Sequence, residues 1–138
     1  MTAYLALFGW SFLAATIVPL ASEPMLIALV RLRHELVAPV VVATAGNYLG
    51  ACTTYWLART AATHVEPLSR TAARYGRARR LIERFGQPAL LLSWVPLLGD
   101  AIVAVAGGVG IRFSSFSAWT VVGKLARYAA VGWLAAQV

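Results

Sequence analysis

Residues 36–58 form an uncharged run of 23 residues, LVAPVVVATAGNYLGACTTYWLA. A helix of this length is about 34 Å long, whereas the hydrocarbon core of a bilayer is about 30 Å thick. The whole chain is 60% hydrophobic and only 12% charged, and soluble domains carry about 25% charged residues. The sequence therefore predicts an all-α integral membrane protein.

Three other segments are strongly apolar, and two of them are interrupted. Residues 4–22 carry no charge and are followed by Glu23. Residues 88–111 contain a single charge, Asp100. The last segment, 118–138, is long enough to span a bilayer. Proline and glycine residues break the first two segments beside their acids, and we predict the breaks at Pro19, Pro24, Pro96 and Gly99.

The two interruptions belong to an internal repeat. VPLASE at 18–23 and VPLLGD at 95–100 match at an offset of 77 residues, and the same offset pairs Asn47 with Lys124 and Trp56 with Trp133. Paired Gly- or Pro-interrupted segments in two halves of a chain are typical of inverted-repeat transporters. We therefore predict one membrane domain, 1–138, with repeat one at 4–58 and repeat two at 88–138.

Each broken segment is predicted to be a re-entrant helical hairpin that precedes a transmembrane helix. The arms 88–98 and 101–111 have 11 residues each, about 16 Å, which is half of a bilayer. With one crossing per repeat, the two repeats have opposite orientation. An ordinary kinked span is the alternative, and the distribution of arginines favours hairpins only slightly.

The linker 59–87 between the repeats contains seven arginines and two glutamates. Its apolar residues recur near helical spacing, which indicates a basic amphipathic helix on a membrane surface; a solvated basic loop is the alternative. The positive-inside rule places this linker in the cytoplasm. The formal charge of +7 is then explained by anionic lipid, and we expect no nucleic-acid partner.

Several polar side chains fall where lipid is expected. Glu23, Asp100, Lys124 and Arg127 are charged, and Asn47 is polar near the middle of its predicted helix. Lys124 and Arg127 are three residues apart and share a helix face, which suits an anionic phosphate group. The carboxylates are candidates for binding a proton or a cation. Structural salt bridges, Asp100 with Lys124 and Glu23 with Arg127, are the alternative.

Other residues are given structural roles. The small-xxx-small pair Gly46 and Gly50 is predicted to allow close helix packing, and Trp133 is predicted to lie in the core. No catalytic triad or metal-ligand spacing occurs in the sequence, so we predict neither an enzyme nor a cofactor or metal site.

The motifs PLASE, GNYLG, YWLAR, SWVPLLGD and GKLARY together resemble the DedA superfamily, which carries the VTT (SNARE-associated) domain, and in particular its short YqaA-like branch. The resemblance covers residues 8–135. By motif, Glu23 matches the glutamate of the family's first hairpin, and Pro96 matches the proline of the second. Larger members carry an acid where Asn47 stands, and they carry arginines at the positions of Ser93 and Gly99.

The resemblance implies a multi-pass protein of the bacterial inner membrane with two opposed re-entrant hairpins. Members of the wider superfamily move lipids such as undecaprenyl phosphate or phospholipids, some with proton coupling. We therefore expect a transporter of a lipid or other amphiphile with an anionic headgroup, with membrane lipids and protons as partners. A non-transporting scaffold held together by buried ion pairs is the alternative. Because 138 residues are few for enclosing a path, a homodimer is also expected.

Overall fold

The protein is described here by a computed structural model, which covers residues 1–16, 21–64, 72–95 and 98–137. This part of the chain is helical and contains no strand, so the predicted all-α class is confirmed. The helices are α1 Thr2–Ala14, α2 Glu23–Arg33, α3 Val37–His64, α4 Ala72–Phe85, a 3-10 helix Gln87–Trp94, α5 Leu98–Val109 and α6 Phe113–Gln137.

Within the described ranges, no helix combines the length and the apolar character needed to cross a membrane. The membrane-crossing role of residues 36–58 and of the last segment stays a prediction. Helix α3 continues to His64, six residues beyond the predicted end at residue 58.

Helices α3 and α6 form the centre of the bundle and run antiparallel. Gly132 near the end of α6 lies against the side chains of Leu36 and Val40. At the other end of the pair, Tyr55 stacks on Phe116 with ring centroids 4.4 Å apart. We call these two ends of the bundle the Leu36 end and the Tyr55 end.

Helix α1 runs parallel to α3 and packs closely against it. A Cβ added at Gly46 would lie 2.5 Å from the backbone oxygen of Phe8, and one added at Gly50 would collide with the backbone oxygen of Phe12. One turn further along, the Thr54 hydroxyl donates to the carbonyl of Ala15 at 3.1 Å. The predicted packing role of the two glycines is confirmed, because only residues without a Cβ permit this approach.

The chain reverses direction between α1 and α2. The hydroxyl of Tyr4, near the start of α1, donates to the carboxylate of Glu35 at 2.8 Å, and the guanidinium of Arg33 lies 5.1 Å from the centre of the Tyr4 ring. Helix α2 therefore ends at the Leu36 end, where α1 begins. Pro24 is the second residue of α2. Proline is tolerated there because the first N–H groups of a helix have no acceptor within the helix, so the missing N–H of proline breaks no helical hydrogen bond. The predicted break at Pro19 lies outside the described residues.

A second reversal separates the 3-10 helix from α5. Val95 has an extended backbone, with φ −71° and ψ 126°, and so ends the 3-10 helix. Gly99 lies in the first turn of α5, where an added Cβ would collide with the backbone of Ser93. Helix α5 then runs to the Tyr55 end, because Gly107 packs against the backbone of Tyr55. The predicted break at Pro96 lies outside the described residues.

Helix α4 confirms an amphipathic helix within the predicted basic linker, and the alternative of a basic loop is wrong for residues 72–85. Ala78 and Ile82 are buried and pack with α5 in one hydrophobic cluster. The arginines on the other face are exposed: Arg77, Arg79, Arg80 and Arg84. The helical part is shorter than the predicted linker 59–87, because residues 59–64 continue α3 and Gln87 begins the 3-10 helix.

Candidate functional site

A buried lysine lies between the two central helices. Lys124 on α6 is 3% exposed, and its ammonium donates a hydrogen bond to the side-chain oxygen of Asn47 on α3, which is 7% exposed. The Asn47 amide donates in turn to the backbone oxygen of Ser11 at 3.2 Å. Because a buried charge is unfavourable without polar partners, this chain of contacts fixes both side chains. Positions 47 and 124 are the pair that the predicted repeat makes equivalent.

Asp100 lies in the first turn of α5 and is half-buried. It interacts electrostatically with Lys124 and with Tyr128. A carboxylate in the first turn also interacts favourably with the partial positive charge of the helix N-terminus. The start of α5 therefore brings negative charge to the face of α6 that carries Lys124.

Arg127 connects both chain reversals to α6. Its guanidinium forms an ion pair with the carboxylate of Glu23, the first residue of α2. It also donates to the backbone oxygen of Trp94, the last residue of the 3-10 helix, at 2.7 Å. The side chains of Arg127 and Glu23 are 22% and 18% exposed. This pair therefore lies at the margin of the cluster, whereas Lys124 lies inside it.

A hydrogen bond that the sequence analysis missed completes the contact between α2 and α6. The hydroxyls of Ser22 and Tyr128 lie 2.5 Å apart and are buried. Tyr128 is four residues after Lys124 and therefore shares its helix face. That spacing was the available signal, because it places a second polar group beside the predicted cation.

Two buried hydroxyl groups have no hydrogen-bond partner among the described residues: those of Ser93 and Thr120. Each adjoins the cluster, because Ser93 precedes Trp94 and Thr120 lies one turn before Lys124. Leaving a buried hydroxyl unpaired costs about 1–3 kcal/mol, so these groups can accept or donate hydrogen bonds to a polar ligand.

All five predicted site residues thus lie close together, with Asn47 and Lys124 inside the bundle and the other three half-buried at its margin. Of the two salt bridges given as the alternative, the one between Glu23 and Arg127 is formed. For Lys124 the hydrogen-bond partner is Asn47, while Asp100 acts on it electrostatically. Among the described residues, no three His, Cys, Asp or Glu side chains are grouped as metal ligands. We call the set Glu23, Asn47, Asp100, Lys124 and Arg127 the central polar cluster.

The fold and the central polar cluster together define a class of protein. It is a helical bundle in which both chain reversals lie beside a group of largely buried charges. The sequence comparisons specify the family. Residues 18–136 match the VTT domain. An uncharacterized protein of Haemophilus influenzae is 35% identical over 133 residues, covering 91% of this chain and 82% of the relative. The inner membrane protein YqaA of Escherichia coli and that of Shigella flexneri are each 37% identical over 128 residues, covering 91% of this chain and 86% of each relative.

The chain therefore belongs to the VTT-domain family of membrane proteins, that is, to the DedA superfamily, and it is YqaA-like. No solved structure matches it.

Proposed function

We propose that this protein is a DedA-like transporter of the bacterial inner membrane, and that it moves a lipid or other amphiphile with an anionic headgroup such as a phosphate. The location is supported by the relatives in Escherichia coli and Shigella flexneri, which are named inner membrane proteins. The substrate class is supported by the chemistry of the central polar cluster.

The observation that carries the proposal is the pair of cations on α6. Lys124 and Arg127 are one turn apart, at the level where α2 and α5 begin. A charge at the centre of a bilayer costs about 2.5–3.5 kcal/mol on insertion scales. Two such charges on one face persist when they serve a function, and an arginine fork beside a lysine matches the oxygens of a phosphate group.

The contacts also support a mechanism in which a phosphate group replaces Glu23 as the partner of Arg127. An incoming phosphate group competes with Glu23 for the guanidinium of Arg127, because both are oxygen anions. The released carboxylate, only 18% exposed, is then left without its cation, and a proton or a second cation would neutralise it. The hydroxyls of Ser93 and Thr120 offer additional hydrogen bonds to headgroup oxygens. Coupling to a proton or a second cation follows from this exchange.

In the proposed topology, the pair α1 and α2 and the pair formed by the 3-10 helix and α5 are re-entrant hairpins of two inverted repeats, and α3 and α6 cross the bilayer. Support comes from the contacts: α2 runs from the cluster to the Leu36 end, whereas α5 runs from it to the Tyr55 end. The exposed arginines of α4 then lie on the cytoplasmic side.

The test is flipping of a fluorescent phosphatidylglycerol in proteoliposomes, with a fluorescent neutral glycolipid as the comparison lipid. We expect Arg127→Ala and Asp100→Asn to slow phosphatidylglycerol flipping at least tenfold. Arg112→Ala is the matched control, because Arg112 is exposed and lies outside the cluster. Equal rates for wild type, Arg127→Ala and Asp100→Asn would refute the proposal.

A scaffold without transport is the second candidate, and it is favoured by one observation: Arg127 already has two partners, Glu23 and the Trp94 carbonyl. A scaffold requires only that the ion pair exist. The exchanged pair Glu23→Arg with Arg127→Glu should then restore growth of cells that depend on the protein and most of the free energy of unfolding, all but the contribution of the bond to the Trp94 carbonyl, which a carboxylate cannot donate. For a transporter, the exchange restores stability at most, and flipping stays lost.

A further inference from the structure

Two exposed tryptophans mark opposite ends of the bundle. Trp56 on α3 is 49% exposed and lies at the Tyr55 end. Trp133 on α6 is 57% exposed, so the predicted core position of this residue is wrong. Its neighbour Gly132 contacts Leu36 and Val40, which places Trp133 beside the first turn of α3, at the Leu36 end.

The distance between these tryptophans along the bundle matches the thickness of a membrane. Since Trp133 lies at the level of the first turn of α3, about 18 residues of that helix separate it from Trp56, or about 27 Å. The hydrocarbon core of a bilayer is about 30 Å thick. Tryptophan concentrates at both membrane–water interfaces, where its apolar ring and polar N–H suit the boundary.

The exposed charged side chains are also separated by the levels of these two tryptophans. In the described parts of α1, α2, α3, α5 and α6 and of their links, the exposed charged residues lie at or beyond the two tryptophan levels: Arg31, Arg33, Glu35, Arg59 and Arg112. Between those levels, the charged residues of the central polar cluster are buried or half-buried. The large exposed side chains there include Val41, Leu49, Val122 and Leu125. The interval thus presents an apolar outer surface around a polar centre.

Polar groups on the outer surface of this interval are bonded within the protein. Trp10 is 43% exposed, and its indole N–H donates to the carbonyl of Ala21 at 3.1 Å. Thr53 is exposed, and its hydroxyl donates to the carbonyl of Leu49 at 3.2 Å. Such bonds are needed where no water is available. They are consistent with contact between this surface and hydrocarbon.

We propose that the outer surface of the bundle holds a lipid bilayer in one register, with Trp56 and Trp133 at the two opposite interfaces and the second chain reversal near mid-depth. Trp10 lies between Phe8 and Phe12, which pack against Gly46 and Gly50 in the middle of this interval. Trp94, which is 44% exposed, lies beside the second reversal, and both tryptophans face the acyl chains. This inference rests on the membrane location in the proposed function, and it does not depend on the transport activity.

Depth-dependent fluorescence quenching tests this register. Each of four variants retains a single tryptophan, which is Trp10, Trp56, Trp94 or Trp133. The remaining tryptophans are replaced by phenylalanine. They are reconstituted in vesicles of phosphatidylcholine and phosphatidylglycerol, brominated either near the headgroup or near the chain end. Circular dichroism before quenching selects variants that retain the wild-type helix content, and tyrosine replaces phenylalanine in any variant that does not.

We expect shallow bromines to quench Trp56 and Trp133 at least twofold more than deep bromines do, and we expect the reverse order for Trp10 and Trp94. If the shallow bromines quench all four tryptophans more strongly than the deep ones do, the protein lies on the membrane surface and the inference is wrong. Stronger quenching of Trp56 or Trp133 by the deep bromines would also overturn it. Correct depths without flipping would refute the transport proposal alone, whereas flipping with wrong depths would refute the register alone.

Discussion

Replacement of Gly46 by alanine tests the contact that holds the first chain reversal against the centre of the bundle. The new Cβ would lie 2.5 Å from the backbone oxygen of Phe8 and 3.2 Å from the Cβ of Ser11. Helix α1 must therefore move away from α3. Ser11 also supplies the carbonyl that accepts the Asn47 amide at 3.2 Å, so the same movement weakens that hydrogen bond.

The size of the effect follows from three contributions. Alanine favours the helix over glycine by about 0.5–1 kcal/mol. Overpacking costs about 1–3 kcal/mol, and loss of one hydrogen bond costs about 0.5–1.5 kcal/mol. We expect Gly46→Ala to lower the free energy of unfolding by about 2 kcal/mol in total. The matched control is Gly9→Ala in α1, because a Cβ at that position would meet no atom of another helix within 4 Å.

The assay is a urea titration of both variants in the same detergent, followed by circular dichroism. Gly9→Ala should leave the free energy of unfolding unchanged or raise it by up to about 1 kcal/mol, while Gly46→Ala should lower it. If both substitutions change stability by the same amount and in the same direction, α1 and α3 do not approach each other as described.

Three further predictions use the same titration. Ser22→Ala and Tyr128→Phe should each lower stability by about 1 kcal/mol, and the double variant should lose less than the sum because one hydrogen bond is shared; strict additivity would argue against that bond. Gly107→Ala should cost about 1–3 kcal/mol, since its Cβ would meet the backbone of Tyr55; a stabilised variant would contradict this close approach. Tyr55→Phe should cost about 1 kcal/mol, since the hydroxyl bonds the Ile111 carbonyl; an unchanged midpoint would contradict the bond's contribution.

The starts of α2 and α5 were predictable because they depend on local chemistry. Proline and glycine limit the backbone wherever they occur, and α2 begins at Glu23, one residue before Pro24, while α5 begins at Leu98, one residue before Gly99. The grouping of polar residues was also predictable. Charges within apolar segments must meet polar partners, and the alternative in which Glu23 pairs with Arg127 is the contact that the structure contains.

The choice of other partners was not predictable from the sequence. A helix pattern indicates which residues share a face, but the axial position of one helix against another depends on packing along its whole length. This is why the hydrogen bond between Lys124 and Asn47 and the one between Ser22 and Tyr128 required the structure. Trp133 was misplaced for a related reason: residues 128–137 of α6 carry no charge, so hydropathy there does not distinguish an inner face of the helix from an outer one.

The difference between positions 47 and 124 determines how charge is distributed at the centre. If both positions held lysine, two buried ammonium groups would face each other and repel; if both held asparagine, the buried contact would carry no charge. With Asn47 opposite Lys124, both cations of the cluster belong to α6, while the acids Glu23 and Asp100 belong to the first turns of α2 and α5. A shift of α6 relative to these two helices would therefore separate opposite charges at both contacts at once. An anionic headgroup bound to α6 would compensate for that separation, which couples headgroup binding to movement of the helices in the proposed transport cycle.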